Sequence, residues 1–144
     1  MRLYTLRDQS YSESKVELIY HVTDRKQYVE DEMIVIYGVI EFQDGNNGVY
    51  KQDISLTVDD LNSLKYQLDN LDFSSPLNVL TSKEPDLTFF ILGVIEKDGS
   101  LNLIISLDSG QAVSNMGTDS GDALRMPVTV NKFSEWILNI KNHK

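Results

Sequence analysis

The sequence predicts an α+β fold made mainly of antiparallel β-sheet, with about seven to nine strands and two amphipathic helices. In several segments apolar residues alternate with polar ones, which is the period of a strand with one buried face. Two other segments, about 59–71 and about 131–142, instead carry apolar residues at steps of three and four, as a helix does. Turn sequences such as Asp98-Gly99 separate the strands by few residues, which favours antiparallel hairpins.

The first part of the chain predicts strands separated by short polar segments. A short strand over Arg2–Arg7 and a polar turn over Gln9–Ser14 precede a clearly alternating strand over Lys15–Thr23. A charged loop over Asp24–Glu32 follows. Met33–Phe42 is then apolar almost throughout, which is typical of a central strand covered on both faces.

The next strand runs directly into the first helix. Val49–Val58 is predicted as that strand, and Thr57 occupies the position of a helix cap, with Asp60 three residues later. Asp59 and Asp60 also place negative charge at the positive end of the helix dipole. Because capping and the dipole explain both carboxylates, neither is a functional candidate. Phe73–Lys83, which follows the helix, is predicted to be irregular.

The second part of the chain repeats this order. Leu87–Ile95 is predicted as another central strand, apolar on both faces, and Ser109–Asp122 is the longest polar stretch. Pro127 lies in the last predicted strand and favours an edge position, because proline cannot donate to a ladder. Asn131 is the expected cap of the second helix.

The two strand-to-helix junctions resemble each other. Thr57-Val58 aligns with Thr129-Val130, and the apolar residues of the first helix then align with those of the second. A duplicated unit, over about 1–72 and about 84–144, and two ordinary junctions are both compatible with this match. No linker rich in Pro, Gly or Ser separates the halves, so residues 1–144 are predicted to form a single domain.

Composition limits the classes of function. The chain has no cysteine, which excludes disulfides and thiolate ligands, and its formal charge of −9 argues against nucleic acid or an anionic membrane as partner. No apolar run approaches the roughly 18 residues of a membrane span, and the first residues lack the apolar core of a signal peptide. We therefore expect a cytoplasmic protein, and the acidic charge permits a basic protein partner.

No stretch of the sequence indicates a catalytic, cofactor or metal site. The chain has two histidines: His21 is predicted on the outer face of a strand, and His143 is predicted to be solvated in the C-terminal tail. Phosphate-binding and dinucleotide-binding glycine motifs are missing, as is a nucleophile-elbow sequence around any serine. The run Asp119-Ser120-Gly121-Asp122 lacks the spacing of a calcium loop. We therefore expect no enzyme, no cofactor and no bound metal.

Three stretches carry a resemblance to a known family. They are ISLTVDDLNSLKYQL (Ile54–Leu68), EPDLTFFI (Glu84–Ile91) and TVNKFSEWI (Thr129–Ile137). Together with the order of strands and helices, they resemble the WapI-type family of bacterial immunity proteins. The resemblance implies a small cytosolic protein that binds and neutralises the toxic domain of a polymorphic toxin. It carries over no catalytic residues and no contact residues, and Ala123–Met126 departs from it, where an aromatic residue is expected.

Two hypotheses from different classes follow. The first is an immunity protein that masks a cognate toxin domain, basic and possibly a nuclease, by charge complementarity. The second is a small-ligand-binding or enzymatic α+β domain, which requires a pocket that contains a carboxylate with a shifted pKa. For the first hypothesis, the predicted contact residues are the carboxylates of two polar loops: Asp24, Glu30, Asp31, Glu32, Asp119 and Asp122. The oligomeric state is left open.

Overall fold

The alternating segments form two antiparallel sheets. A computed structural model describes residues 2–45, 49–84, 86–107 and 123–144, and within these residues it contains nine strands and three helices. The predicted α+β class with mainly antiparallel sheet is thereby confirmed. Sheet A contains β1 (Arg2–Arg7), β2 (Val16–Tyr28), β3 (Met33–Asp44), β4 (Val49–Asp53) and β5 (Leu56–Thr57). Sheet B contains β6 (Leu77–Thr81), β7 (Leu87–Leu92), β8 (Ser100–Leu107) and β9 (Ala123–Thr129). The helices are α1 (Tyr11–Ser14), α2 (Val58–Asp69) and α3 (Val130–Lys141).

Each sheet follows chain order and is followed by a long helix. In sheet A the order is β1-β2-β3-β4, with β5 also paired to β3, and α2 follows β5 directly. In sheet B the order is β6-β7-β8-β9, and α3 follows β9 directly. Among the residues that the structure describes, the predicted edge position of Pro127 is confirmed, because β9 is the last strand of sheet B there. The second strand series begins with β6 at Leu77, earlier than the predicted start near residue 84.

The inner faces of both sheets and the two long helices share one hydrophobic cluster. Tyr20 and Phe89 are fully buried members from sheets A and B, and Phe133 of α3 packs against Phe89 with ring centroids 5.1 Å apart. Trp136 joins the halves directly, since its indole Nε1 donates to the backbone oxygen of Tyr4 at 2.9 Å. Full burial of each large apolar side chain contributes about 1.5–3 kcal/mol, so the cluster is the main stabilising feature of both halves.

Tyr20 explains why the predicted strand Val49–Val58 is interrupted. Its hydroxyl lies 2.9 Å from the backbone oxygen of Ile36 and 2.7 Å from that of Ile54, so the two oxygens share its single proton. Ile54 lies between β4 and β5, where its own amide donates to Gly38. A Cβ atom on Gly38 would lie 2.7 Å from the Tyr20 ring, so this approach requires glycine. Burial raises the pKa of the Tyr20 hydroxyl, which therefore stays protonated and able to donate.

Both long helices have side-chain caps at threonine. Thr57 and Asp60 form a complete capping box at the start of α2, in which each side chain accepts from the other residue's amide. At α3 the prediction of Asn131 as the cap is wrong: the hydroxyl of Thr129 accepts from the amide of Lys132. The helices begin and end within two residues of the predicted bounds.

Three other predictions need correction. The segment Phe73–Lys83 contains strand β6. Leu80 of this strand is buried in the core, whereas Leu77 and Val79 stay about half exposed at the sheet edge. The predicted turn Gln9–Ser14 contains α1, a single helical turn. The strands β3 and β7 are central, but the outer face of β7 is exposed at its end. Leu92, for example, remains 39% exposed, because the two long helices pack on the inner faces.

Candidate functional site

A two-stranded hairpin projects from sheet A. The ladder of β1 with β2 ends at Val22, and β5 pairs with β3 only at Val35 and Ile36. Residues 24–28 of β2 pair with residues 33–37 of β3, and this hairpin, residues 24–37, is named the arm here; within the described part of the chain only Val35 and Ile36 of the arm also pair with another strand. A β-bulge at Thr23 marks its base, which increases the local twist. At about 3.4 Å per residue, the five residue pairs of the arm extend roughly 17 Å beyond β1, and the last two pairs extend roughly 7 Å beyond β5.

The arm brings together four of the six predicted contact residues. Asp24 lies at its base, and Glu30, Asp31 and Glu32 form its exposed tip. The prediction of a loop over Asp24–Glu32 is wrong for its first five residues, which continue β2 to Tyr28. Hydrophobic alternation did not reveal this part of the strand, because both faces of β2 meet solvent over Asp24–Tyr28. The other two predicted contact residues, Asp119 and Asp122, lie outside the described residues.

Apolar side chains accompany the carboxylates at the tip. Val29 is 80% exposed and Tyr28 is 38% exposed, beside the three consecutive carboxylates. The Tyr28 hydroxyl is 2.6 Å from that of Tyr37, and this hydrogen bond raises the pKa of Tyr37 and links the two strands of the arm. Glu32 has a φ of 49°, so the turn holds this residue in the left-handed region. The tip is thus a defined hairpin that presents both negative charge and apolar surface.

A groove, named the β1 groove here, separates β1 from α3. Its volume is about 710 Å³, and every residue from Arg2 to Gln9 lines it, together with Tyr11. The opposite wall comes from the end of β9 and one face of α3: Val128, Thr129, Lys132, Glu135, Trp136 and Asn139. A smaller cavity of about 420 Å³, which shares Arg2, is lined by Val22, Thr23, Asp24, Arg25, His143 and Lys144.

These two cavities carry positive charge in an acidic protein. They contain five of the chain's 13 Lys and Arg residues but only three of its 22 Asp and Glu residues. His143 borders the same region, and its pKa is lowered by burial and by the charges of Arg2 and Arg25. Its predicted solvation is wrong, because its Nδ1 is 2.7 Å from the Tyr4 hydroxyl and the C-terminal turn packs on sheet A.

His21 and Glu41 form a polar network on the outer face of sheet A. His21 lies on that face, as predicted, with its Nε2 2.7 Å from a carboxylate oxygen of Glu41. The amide of Gln43 donates to the other oxygen, and the ammonium of Lys51 is 3.5 Å from the first. Burial alone would raise the pKa of Glu41, but these hydrogen bonds and the Lys51 charge lower it. Every member has a partner, as in a structural network.

Glu84, unlike Glu41, has a pKa that is raised overall. Burial raises its pKa, and the negative charges of Asp86 and Asp60 raise it further, against a hydrogen bond from the Asp86 amide. Glu84 does not line the β1 groove. Within the described residues, no group of three or more His, Asp or Glu side chains is arranged to hold a metal ion.

Sequence reasoning missed the basic residues of the β1 groove and the apolar tip of the arm. The signal for the tip was present, since Tyr28-Val29 precedes the acidic triplet directly. No local signal marks the groove, because Arg2, Arg7 and Lys132 come from opposite ends of the chain.

Comparison of the chain with models of protein families, with curated proteins and with solved structures gives no match. The similarity to WapI-type immunity proteins therefore stays a prediction.

Neither long helix could cross a bilayer, and no helix in the described ranges is long and apolar enough to do so.

Proposed function

We propose that this chain is an immunity protein that binds a basic bacterial toxin domain and masks it by charge complementarity. The observation that carries the proposal is the arm, which extends three exposed carboxylates and an exposed Val29 beyond sheet A. A projecting hairpin can enter a concave active site that a flat sheet face cannot reach. The net charge of −9 adds long-range attraction for a basic partner. A cytoplasmic location, where such a toxin would act, belongs to the same proposal.

The arm has the composition expected of a contact that contributes much of the binding free energy. Apolar side chains at the centre of an interface supply affinity, and surrounding charges supply orientation and a fast encounter. Val29 and Tyr28 lie beside Glu30, Asp31 and Glu32, so both kinds of contact are available within five consecutive residues. The paired backbone of the arm also lowers the entropy cost of binding, because the contact residues are already ordered.

The ligand-binding or enzymatic alternative has less support. The volume of the β1 groove is within the roughly 300–1,000 Å³ of small-molecule sites, and this observation favours a binding cavity. Acid–base chemistry additionally requires a carboxylate with a raised pKa inside the cavity. Glu84 has the raised pKa, but it does not line the β1 groove. The geometry thus supports a binding role more than a catalytic one.

The test uses the toxin domain encoded in the reading frame adjacent to this gene. Calorimetry with the full chain should give a nanomolar Kd that weakens steeply as salt is raised. The triple variant Glu30→Lys, Asp31→Lys, Glu32→Lys should weaken binding at least about 100-fold, because buried charge pairs typically contribute several kcal/mol at interfaces.

The matched control reverses three exposed carboxylates outside the arm: Glu13, Asp53 and Glu96. It changes the net charge by the same amount and should weaken binding far less. If both triple variants lose the same affinity, overall charge acts rather than the arm. If no binding occurs, or if salt leaves Kd unchanged, charge masking by this chain is wrong.

A further inference from the structure

We propose that the β1 groove binds an extended acidic peptide, which adds to sheet A as a strand beside β1. This site is separate from the arm and from the masking function proposed above. The first observation is the unpaired edge. Within the described residues β1 pairs with β2 alone, and all of its residues line the groove. The cavity is therefore bordered by a strand edge and not by one face of a sheet.

Two backbone hydrogen bonds show which groups of β1 point away from β2. The amide of Asp8 donates to Val16 in register with the β1–β2 ladder, and the amide of Gly45 donates to Lys15 on the other side of β2. Along an antiparallel strand, residues whose N–H and C=O groups bond to the neighbouring strand alternate with residues whose groups point away from it. It follows that Leu3, Thr5 and Arg7 direct their N–H and C=O groups away from β2.

The next residue in this alternation confirms the assignment. The amide of Gln9 points outward and donates to the backbone oxygen of Pro127 in β9, at 2.9 Å. This bond closes one end of the groove. Trp136, whose indole nitrogen donates to the backbone oxygen of Tyr4, forms the floor. Between them, a six-residue edge about 20 Å long offers its outward donors and acceptors to a ligand. Addition of a strand to such an edge is a recurrent way of binding extended peptides.

The charged side chains that line the β1 groove indicate that the peptide is acidic. Arg7 and Lys132 lie on opposite walls, where Arg7 donates to Glu17 at 3.1 Å and the Lys132 ammonium is 3.8 Å from Glu135. Both side chains are still 59% and 71% exposed, and Arg2 lies at the far end, so three cations line the groove. Two carboxylates also line the groove, but Asp8 is buried and accepts from the amide of Ser10, which leaves Glu135 as the exposed one. The exposed charge is thus positive, in contrast to the whole chain. A peptide with carboxylates at alternate positions matches both the strand edge and this charge.

The experiment is an NMR titration of the full chain with a synthetic peptide of about ten residues that alternates valine and glutamate. We expect shifts and slowed hydrogen exchange at the amides of Leu3, Thr5 and Arg7. The same peptide with lysine for glutamate should bind at least about tenfold more weakly at low salt. A version that is N-methylated at alternate residues should not bind, because it lacks the donors that pair with β1.

Two variants test the two parts of the proposal. Thr5→Pro removes an outward donor without removing a ladder bond, and it should abolish binding. Arg2→Glu with Lys132→Glu leaves the backbone unchanged and should remove the preference for glutamate over lysine. Lys83→Glu, at an exposed residue that does not line the groove, should leave binding unchanged.

Three results would overturn the proposal. The first is an absence of shifts along β1 at millimolar peptide. The second is equal binding of the glutamate and lysine peptides. The third is binding of a single-stranded oligonucleotide but not of the peptide, which would assign the positive edge to nucleic acid.

Discussion

Glu41 shows how a buried charge is accommodated on the outer face of a sheet. It is 3% exposed, and its oxygens accept from His21 and Gln43 while Lys51 lies nearby. The register explains these contacts, because Lys51 on β4 is directly opposite Glu41, and His21 on β2 is two residues from Ile19, which is opposite Glu41 on the other side. Apolar periodicity predicted the strands, but it could not predict this network, which depends on register between three strands.

Replacement of Glu41 by alanine should lower the free energy of unfolding by about 1–3 kcal/mol at pH 7, because the hydrogen bonds of this buried carboxylate with His21 and Gln43 are lost. The hydrogen bonds from Gln43 and His21 and the Lys51 charge lower the folded pKa of Glu41 from its ordinary value of 4.5. Its contribution is therefore present above that value and is lost as the pH falls through the folded pKa. Urea unfolding at pH 7 and near pH 3 measures both effects.

The matched control is Glu96→Ala, at an exposed position, which should change stability by less than about 0.5 kcal/mol. If the difference between wild type and Glu41→Ala were the same at both pH values, the network would not act through the ionised carboxylate.

The helices were the elements best predicted from the sequence. Their apolar stripes, such as Leu61, Leu64 and Leu68, are local patterns, and each of these residues is buried. The edge strand β6 and the outer half of β2 were missed for a common reason. An edge strand such as β6, or a strand with both faces in solvent, needs no regular apolar alternation, because its pairing partner fixes its conformation.

The two caps should differ in their effect on stability. Thr57→Ala removes half of a capping box whose Asp60 also accepts from the amide of Lys83, so we expect a loss of about 1–2 kcal/mol. Thr129→Ala removes a single hydrogen bond, and we expect a loss of about 0.5–1 kcal/mol.

Urea denaturation of both alanine variants measures these losses, with Thr→Ser at each position as the control that retains the hydroxyl. A larger loss at Thr129 than at Thr57 would contradict the role assigned to the capping box.

At the scale of the whole molecule, the candidate sites differ in how far the sequence could predict them. The arm is local, so its acidic triplet was identified from the sequence, although its strand structure was not. The β1 groove forms only when the first strand meets the last helix, through contacts such as that between Tyr4 and Trp136. No spacing or motif contains that information, because the residues concerned are at opposite ends of the chain.

The shared hydrophobic cluster predicts that the two halves unfold together. Both sheets and both long helices contribute to it, so neither half can lose its structure without exposing the apolar surface of the other. Calorimetry and far-UV circular dichroism should therefore show one coincident two-state transition. Two separate transitions would show that each strand-and-helix unit is stable alone, as expected if the contacts between the halves contribute little.

Trp136 gives the chain an internal optical reporter. It is the only tryptophan in the sequence, and it lines the β1 groove. Its indole nitrogen donates a hydrogen bond to the backbone carbonyl of Tyr4. Indole emission responds to local polarity and to hydrogen bonding at that nitrogen. Unlabelled protein can therefore distinguish the two proposed contacts by fluorescence. A ligand in the groove should change the emission directly, whereas a toxin domain that contacts only the arm should leave the emission of Trp136 unchanged.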